Sequence, residues 1–239
     1  MNPERYRKRV VFWKGDRMRF VGHLDLLRVL QRAMNRAGIE LVFSNGFNPH
    51  PQMSFAKPLS LGQEGMREIM ELELASPMTD QELIERINAV LPPGILLLDA
   101  ADMPEGTKSA MSMVDLAEYE IHLPDLDIDY PEALKGFLSL PEIPIRKLAK
   151  FHGRKQEITV DIRPRIRELK ALNANTFYLL AVSTGEENLK PDKMMQVFWN
   201  YIGHPEQTAN EQIVRTGLYQ CREDGTLADM MQLLEYQAE

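Results

Sequence analysis

Two histidines have sequence surroundings in which an imidazole could act in acid–base chemistry or contact a phosphate. His23 directly follows Gly22, where the first predicted helix begins. The helix dipole disfavours an imidazolium there, and its unpaired amide groups attract anions. His50 stands between Pro49 and Pro51, which stiffen the backbone on both sides. Each histidine is therefore a candidate catalytic base or phosphate ligand. The alternative for His23 is helix capping or loop packing.

The segment around His50 contains chemical groups that could bind an unpaired nucleic-acid base. Asn45 and Asn48 offer amide groups, and Phe47 offers an aromatic face. Proteins bind single-stranded nucleic acid with such stacking and hydrogen-bonding groups. A buried structural loop, in which the asparagines satisfy the backbone and Phe47 fills the core, is the alternative, and the sequence leaves both open.

Arginines recur in the first predicted helix at a spacing that could follow a phosphate backbone. Arg28, Arg32 and Arg36 repeat every four residues, and Arg17 and Arg19 precede the helix. Residues four apart share one helix face, and no acid is expected to pair with the arginines on that face. We predict that this stripe binds phosphate rather than being merely solvated.

A second basic segment lies between residues 146 and 170. Its predicted nucleic-acid contacts are Arg154, Lys155, Arg163, Arg165 and Arg167. If a strand continues through Pro164, the last three guanidinium groups share one face and could hold phosphate bidentately. Proline there favours an edge strand or a bulge. The segment containing Arg154 and Lys155 could be a mobile hairpin tip, or equally a solvated turn.

The charges are unevenly distributed along the chain. The protein has 239 residues and a formal net charge of −7, yet residues 1–36 carry +7 and residues 146–170 carry +6. Fields are set within a screening length of roughly 8–10 Å, so an acidic total does not exclude a nucleic-acid partner. We expect the two basic segments to converge around the loop that carries His50. The alternative is that they complement acidic faces of the chain or of a partner.

The elements that must position these residues form a repeated pattern. A strand at Val10–Trp13 and a short extended stretch ending near Phe20 precede the first helix, and Gly38 is placed to end that helix. Strands are predicted over 53–61, 68–74 and 95–100, with a second helix that starts at a Thr79 capping box. This is the β-α-β-β-α-β order of ferredoxin-like folds, and the same order is predicted again after a linker.

The predicted fold class is therefore α+β, with two tandem ferredoxin-like (β-α-β-β-α-β) units. We place the domains at residues 1–112 and 113–222, followed by a helical tail at 223–239.

Several classes of protein are disfavoured by what the sequence lacks. It has no paired cysteines, HxxxH, GxGxxG, Walker or GxSxG motif, so we expect neither a metal site nor a cofactor. No apolar run approaches the ~18 residues of a membrane span, and no apolar segment follows the first charges as in a secretory signal. The single cysteine, Cys221, cannot form an internal disulfide. A cytoplasmic protein without membrane contact is expected.

Several motifs together resemble one bacterial family. They are Arg19–Arg28, Arg32–Ala33, Ala37–Gly38, Gly46–Pro51, Ser54–Phe55, Val160–Pro164 and Arg215–Leu218. This combination, which covers most of the chain, resembles the radical SAM-linked proteins, a family found beside radical S-adenosylmethionine enzymes or fused to their C-terminus. Where that family commonly has a small hydroxyl residue before the histidine, this chain has Val21–Gly22, so that position is given no chemical role.

The resemblance implies a radical SAM enzyme as partner and an RNA substrate such as tRNA or rRNA. The chain lacks a CxxxCxxC cluster motif and so is not itself the radical SAM catalyst. Our leading hypothesis is a non-catalytic RNA-binding protein that presents its substrate to that enzyme.

Two other hypotheses remain. One is a metal-independent ribonuclease that uses His23 or His50 as general base. It draws on a likeness in architecture to the CRISPR repeat-processing endonucleases. The other is a structural subunit that docks on the radical SAM enzyme without binding RNA.

Overall fold

The computed structural model describes residues 6–151 and 154–235, and the chain divides into two compact units. The first consists of Met1–Asp115 together with Val214–Glu239, and the second of Leu116–Ile213. The expected α+β class is confirmed, since strands and helices are mixed in both units. None of the helices within the described ranges is long and apolar enough to cross a membrane.

The first unit begins with the predicted order of strands and helices. Its elements are β1 (Tyr6–Lys14), α1 (His23–Arg36), β2 (Met53–Phe55), β3 (Glu64–Leu74), α2 (Asp80–Asn88), β4 (Ile95–Asp102) and the short α3 (Ala110–Met113). β1 lies between β4 and β3, and β2 pairs with β3, all antiparallel. Two predicted strands differ from the structure: the one predicted over 53–61 ends at Phe55, and the stretch before Phe20 is a 3-10 turn at Asp16–Met18.

Alternation in the strands and helical spacing in α1 build the core of this unit. Phe12 on β1, Leu72 on β3 and Leu30 on α1 are buried in one apolar cluster, which also takes Leu83 from α2. The helix ends follow local signals. Thr79 Oγ1 accepts a hydrogen bond from the Glu82 amide at 3.2 Å, as a capping residue does.

The second unit has more strands than expected. Its elements are β5 (Leu116–His122), α4 (Tyr130–Leu138), β6 (Pro144–Phe151), β7 (Arg154–Asp161), β8 (Ile166–Asn173), β9 (Thr176–Val182) and α5 (Pro191–Tyr201). β9 pairs antiparallel with both β5 and β8, while β6 and β7 form a separate two-stranded hairpin. Four strands thus lie between the two helices, where we expected two. Tyr130, Phe177, Phe198 and Trp199 pack edge to face in the core.

The end of the chain returns to the first unit. It contains β10 (Gln212–Cys221), β11 (Leu227–Asp229) and α6 (Gln232–Glu235). β10 runs parallel to the start of β3, with Val214 opposite Glu64, and β11 pairs antiparallel with β10. The predicted boundaries at 112 and 222 therefore differ from the compact units. The physical reason is that β10 completes hydrogen bonding and ion pairing with β3, far away in sequence.

Candidate nucleic-acid interface

The loop between residues 44 and 50 is closed by hydrogen bonds between its two ends. The Ser44 amide donates to the His50 carbonyl at 2.9 Å, and the His50 amide donates to Ser44 Oγ at 3.1 Å. The His50 Nδ1 atom lies 3.1 Å from Ser44 Oγ and 3.2 Å from the Asn48 carbonyl oxygen. Outside these residues, Phe43 pairs with Pro51 in a β-bridge. The loop backbone is thus held by hydrogen bonds among its own residues.

The side chains of this loop point away from the core. Phe47 is fully exposed, and Asn45, Asn48 and His50 are exposed as well. Phe43, just before the loop, is half exposed. The alternative in which Phe47 fills the core is therefore wrong. A loop closed by its own hydrogen bonds that exposes a phenyl ring offers an aromatic face on which a base can stack.

The arginines of α1 are exposed, but two of them already have partners. Arg28 donates to Asp25 Oδ1 at 2.8 Å, and Arg36 donates to the Val90 carbonyl at 2.6 Å. The expectation that no acid accompanies this stripe is wrong for Arg28, because Asp25 lies three residues earlier on the same face. Arg32 is exposed between them.

The two arginines before α1 differ in exposure. Arg17 is exposed in the 3-10 turn. Arg19 is half-buried, with one guanidinium nitrogen 3.2 Å from Asp16 and its centre 4.8 Å above the Phe20 ring. Of this pair, Arg17 is the better placed for a ligand in solution.

His23 begins α1, as predicted, but it is packed against the core. Its ring meets Phe55 edge-on, with 5.1 Å between the ring centres. It lines a cavity of about 10 Å³ together with Lys14, Lys57 and Glu68. That volume holds roughly one water molecule, so a nucleotide does not fit beside the imidazole.

A buried ionic cluster surrounds this small cavity. Arg215 on β10 donates two hydrogen bonds to the Glu68 carboxylate on β3, one of them at 2.8 Å, and a third to the Lys57 carbonyl at 2.9 Å. Lys14 donates to the carbonyls of Arg19 and Gln63, each at 3.1 Å. Sequence reasoning missed this cluster, because Arg215 and Glu68 lie far apart in the chain and no local signal pairs them.

Burial shifts the titration of both lysines in this cluster. Desolvation lowers the pKa of Lys14, opposed by the Glu68 carboxylate. Desolvation also lowers the pKa of Lys57, opposed by Asp115 and reinforced by the Arg215 charge. Keeping Lys14 and Lys57 protonated in this cluster therefore costs free energy, because burial removes water from their charged groups.

Some of the cations in residues 1–36 form ion pairs inside the first unit. Lys8 Nζ lies 2.6 Å from Asp80 Oδ1 and 2.8 Å from Asp102 Oδ1. Arg9 is completely buried and donates to Glu71 Oε1 at 3.0 and 2.8 Å and to the Met230 carbonyl at 2.6 Å. These two cations of the basic segment thus have partners inside the protein, because buried cations need internal partners.

A larger cavity lies beside His50. It has a volume of about 370 Å³ and is lined by Arg7, His50, Ser54, Glu71, Glu73 and Ser109, among others. His50 and His23 therefore line different cavities in the described part of the chain.

The predicted contacts in the second unit do not share one strand. Arg163 and Arg165 flank Pro164 in a 3-10 turn, and only Arg167 lies on β8. The interpretation of three guanidinium groups on one strand face is therefore wrong, since proline interrupts the ladder. Lys155 is exposed on β7. Arg154 begins that strand, but its side chain and residues 152–153 lie outside what the structure describes.

The predicted convergence of residues 1–36 with residues 146–170 stays a prediction, because the two segments belong to different units. Within the described ranges, no three His, Cys, Asp or Glu side chains are grouped to hold a metal ion.

Comparison with known proteins places the chain in a family. No curated protein matches it. Among solved structures it is similar to an unknown protein from Galdieria sulphuraria, with 11% identity and a TM-score of 0.28 over 88% of this chain and 96% of the other. The sequence model of a family described as "uncharacterized protein conserved in bacteria" matches residues 7–191. This match spans most of the chain, from β1 to the start of α5, and the protein therefore belongs to the bacterial family DUF2344.

Proposed function

We propose that this protein is a non-catalytic RNA-binding protein that presents a structured RNA, such as tRNA or rRNA, to a radical SAM enzyme. The observation that carries the RNA-binding part is Phe47, fully exposed on a loop that Ser44 and His50 close. Burying such a ring is worth about 1.5–3 kcal/mol, so a ligand that covers Phe47 would gain free energy from the contact. An unpaired base fits that role, since stacking accepts any base.

Neighbouring groups supply phosphate contacts for the same ligand. Phe43 lines a cavity of about 480 Å³ together with Asn35, near the end of α1, and Gly38, just beyond it. The end of α1, which carries Arg32 and Arg36, is thus next to the segment that enters the loop. A strand whose base stacks on Phe47 could place its phosphates along these arginines.

The architecture of the first unit is consistent with this role. Its strand order β4-β1-β3-β2, with α1 and α2 packed on one core, supports a ferredoxin-like assignment for this unit. In the second unit, the β6–β7 hairpin carries Arg146 and Lys155 as exposed cations and could give a separate electrostatic contact. The radical SAM partner rests on the resemblance of the motifs, and a cytoplasmic location rests on the single cysteine.

Binding is favoured over cleavage by the placement of the two histidines. His23 faces Phe55 and a cavity with room for one water, while His50 lies in another cavity with its Nδ1 close to two oxygen atoms of its own loop. A ribonuclease would need a base and an acid on either side of one phosphate.

Docking on an enzyme without RNA is the second candidate. It is favoured by Phe20 and Leu61, each about two-thirds exposed, near the contact in which the Gly62 amide donates to the Arg19 carbonyl at 2.9 Å. Co-purification of a radical SAM enzyme free of RNA would support it.

The RNA-binding proposal is tested with the variant Phe47→Ala and a fluorescent single-stranded RNA. Loss of a stacking ring should weaken binding by about 5- to 150-fold, the equivalent of 1–3 kcal/mol. Phe20→Ala is the control, because it removes a ring that is about two-thirds exposed elsewhere in the same unit and should leave the affinity unchanged. Fluorescence anisotropy at low and moderate salt measures both.

Charge should matter in the same assay. Arg32→Glu should lower the affinity and flatten its dependence on salt by roughly 0.7 in the logarithmic slope for each lost contact. An absence of RNA binding at low salt would contradict the proposal.

A further inference from the structure

The cavity beside His50 has the size of a site for one nucleoside. Its volume of about 370 Å³ lies within the range of small-molecule pockets, and it opens next to the loop that carries Phe47. A strand whose base stacks on Phe47 would bring a neighbouring base to this opening.

The cavity places a donor side chain opposite an acceptor side chain. Arg7 on β1 and Glu73 on β3 are direct cross-strand partners, so they share one face of the sheet. Glu71 lies two residues before Glu73 on that same face. His50 and Pro51 contribute the side formed by the loop.

The charges of this cavity favour a neutral polar ligand over an anion. Glu71 Oε1 already accepts hydrogen bonds from Arg9 and, at 2.9 Å, from the Ala110 amide. The negative charge of Glu71 is therefore compensated by groups of the protein itself. Arg7 and Glu73 add one charge of each sign on the same face of the sheet. Arg7 donates one hydrogen bond to the Thr107 carbonyl at 3.3 Å. A guanidinium has five N–H donors, so Arg7 has further donors for a ligand. A carboxylate has about four acceptor positions, so Glu73 can accept bonds from a ligand in addition to those it makes within the protein.

We infer that this cavity is a pocket for an unpaired guanine base of the RNA. Guanine carries two acceptors, O6 and N7, on one edge and two donors, N1–H and N2–H, on the adjoining edge. Arginine binds the first pair bidentately, and a carboxylate accepts from the second. Arg7 and Glu73 supply these two groups side by side, and the His50 ring supplies a surface for the base plane.

The other bases match this pair of groups less well. Adenine offers no pair of adjacent N–H donors to a carboxylate, since its N1 is an acceptor. Cytosine and uracil are smaller and have no N7 for the guanidinium. The inference rests on the proposed function, because it assigns the base specificity of the same RNA-binding surface.

The test uses the full-length protein and four seven-nucleotide RNAs that differ only at the centre of a uridine sequence. The central residue is guanosine, inosine, 7-deazaguanosine or adenosine, and affinities are measured by fluorescence anisotropy. We expect guanosine to bind at least about 10-fold more tightly than adenosine, as one good bidentate contact would give. Inosine lacks the N2 amino group and 7-deazaguanosine lacks N7, so each should bind with intermediate affinity.

The variant Glu73→Gln should reduce the preference for guanosine over adenosine to within about twofold, because an amide offers one acceptor where the carboxylate offers two. Arg7→Met should remove the difference between guanosine and 7-deazaguanosine, because methionine offers no donor to N7. Glu105→Gln, which changes an exposed carboxylate outside the cavity, is the matched control and should keep the full preference. Near-ultraviolet circular dichroism and thermal melting confirm that each variant is folded.

The outcomes separate the two proposals. Wild-type protein that binds RNA but treats guanosine and adenosine alike would overturn the guanine pocket and leave RNA binding intact. A full guanosine preference in folded Glu73→Gln would also overturn the pocket. Wild-type protein that binds none of the four RNAs would overturn both.

Discussion

Strand β1 carries three cations that are almost completely withdrawn from solvent. Lys8 is 1% exposed, Arg9 0% and Lys14 1%. Lys8 is balanced by two aspartates and Arg9 by one glutamate, whereas Lys14 relies mainly on carbonyl oxygens. A buried charge without such partners would cost several kcal/mol, so these contacts explain how a basic strand can lie inside the first unit.

The pH dependence of stability should reveal the Lys8 contact. Burial by itself would lower the pKa of Lys8, but hydrogen bonds and charges from Asp102 and Asp80 outweigh it and raise the pKa above 10.5. A group with a raised folded pKa contributes stability below its unfolded pKa and loses it as the pH rises through the folded value. We therefore expect the free-energy difference between wild type and Lys8→Met to be constant between about pH 6 and pH 9 and to shrink above pH 10.5.

Urea denaturation at a series of pH values measures this difference. Lys155→Met, which removes an exposed lysine, serves as the control and should show no such trend. Parallel curves for wild type and Lys8→Met up to pH 11.5 would show that the aspartates do not hold the lysine charge.

Helix and turn elements follow signals that lie within a few residues. The helix predicted to begin near Gly22 starts at His23 and ends at Arg36. Gly38 has a φ of 65°, which favours glycine, and the Ile39 amide beyond it donates to the Met34 carbonyl, so the helix stops there. Pro164 also acts locally: the chain forms a 3-10 turn at Arg163–Arg165, where a continuous strand was predicted.

Pairing between β10 and β3 depends on a contact that no local signal indicates. The Arg215 and Glu68 side chains are each 4% exposed, and they bond bidentately across the parallel strands. Removing one member of a buried pair leaves an uncompensated charge, which typically costs about 3–5 kcal/mol.

We expect Arg215→Met to destabilise the protein by about that amount, and the double variant Arg215→Met with Glu68→Met to recover much of it. Arg28→Met breaks the exposed pair with Asp25 and should change stability by less than about 1 kcal/mol. Urea unfolding of wild type, Arg215→Met, Glu68→Met and the double variant gives the coupling energy, and Arg28→Met is measured beside them as the control. Additive effects of the two single changes would show that the pair contributes no interaction of its own.

At the scale of the whole chain, the first unit needs residues from both ends of the sequence. The segment after Ile213 supplies the Arg215 guanidinium to Glu68 and the Met230 carbonyl to Arg9. Leu218 and Ala228 from the same segment are buried. The first 115 residues therefore do not contain all the partners of their own buried charges.

Truncation tests this dependence. A chain that ends at Ile213 should lose the cooperative unfolding of the first unit, because the buried Glu68 loses Arg215 and the buried Arg9 loses the Met230 carbonyl. A chain that ends at Glu223 keeps Arg215 but not Met230, and should have intermediate stability. Circular dichroism melting and limited proteolysis compare both with the full-length protein. An unchanged melting transition in the shortest chain would contradict the assignment of residues 214–235 to this unit.

The sequence by itself determined the α+β class, the helix starting near Gly22 and the Thr79 cap. Each of these features depends on dihedral preferences, residue spacing or capping within about ten residues. Such local signals can be recognised in a sequence before its fold is known. The exposure of Phe47, the two separate cavities of His23 and His50, and the burial of Lys8, Arg9, Lys14 and Arg215 were decided only by the tertiary structure. A charged side chain has the same identity on a surface and in a core. Its role is set by whether a partner such as Glu68, 147 positions away from Arg215 in the sequence, is brought against it.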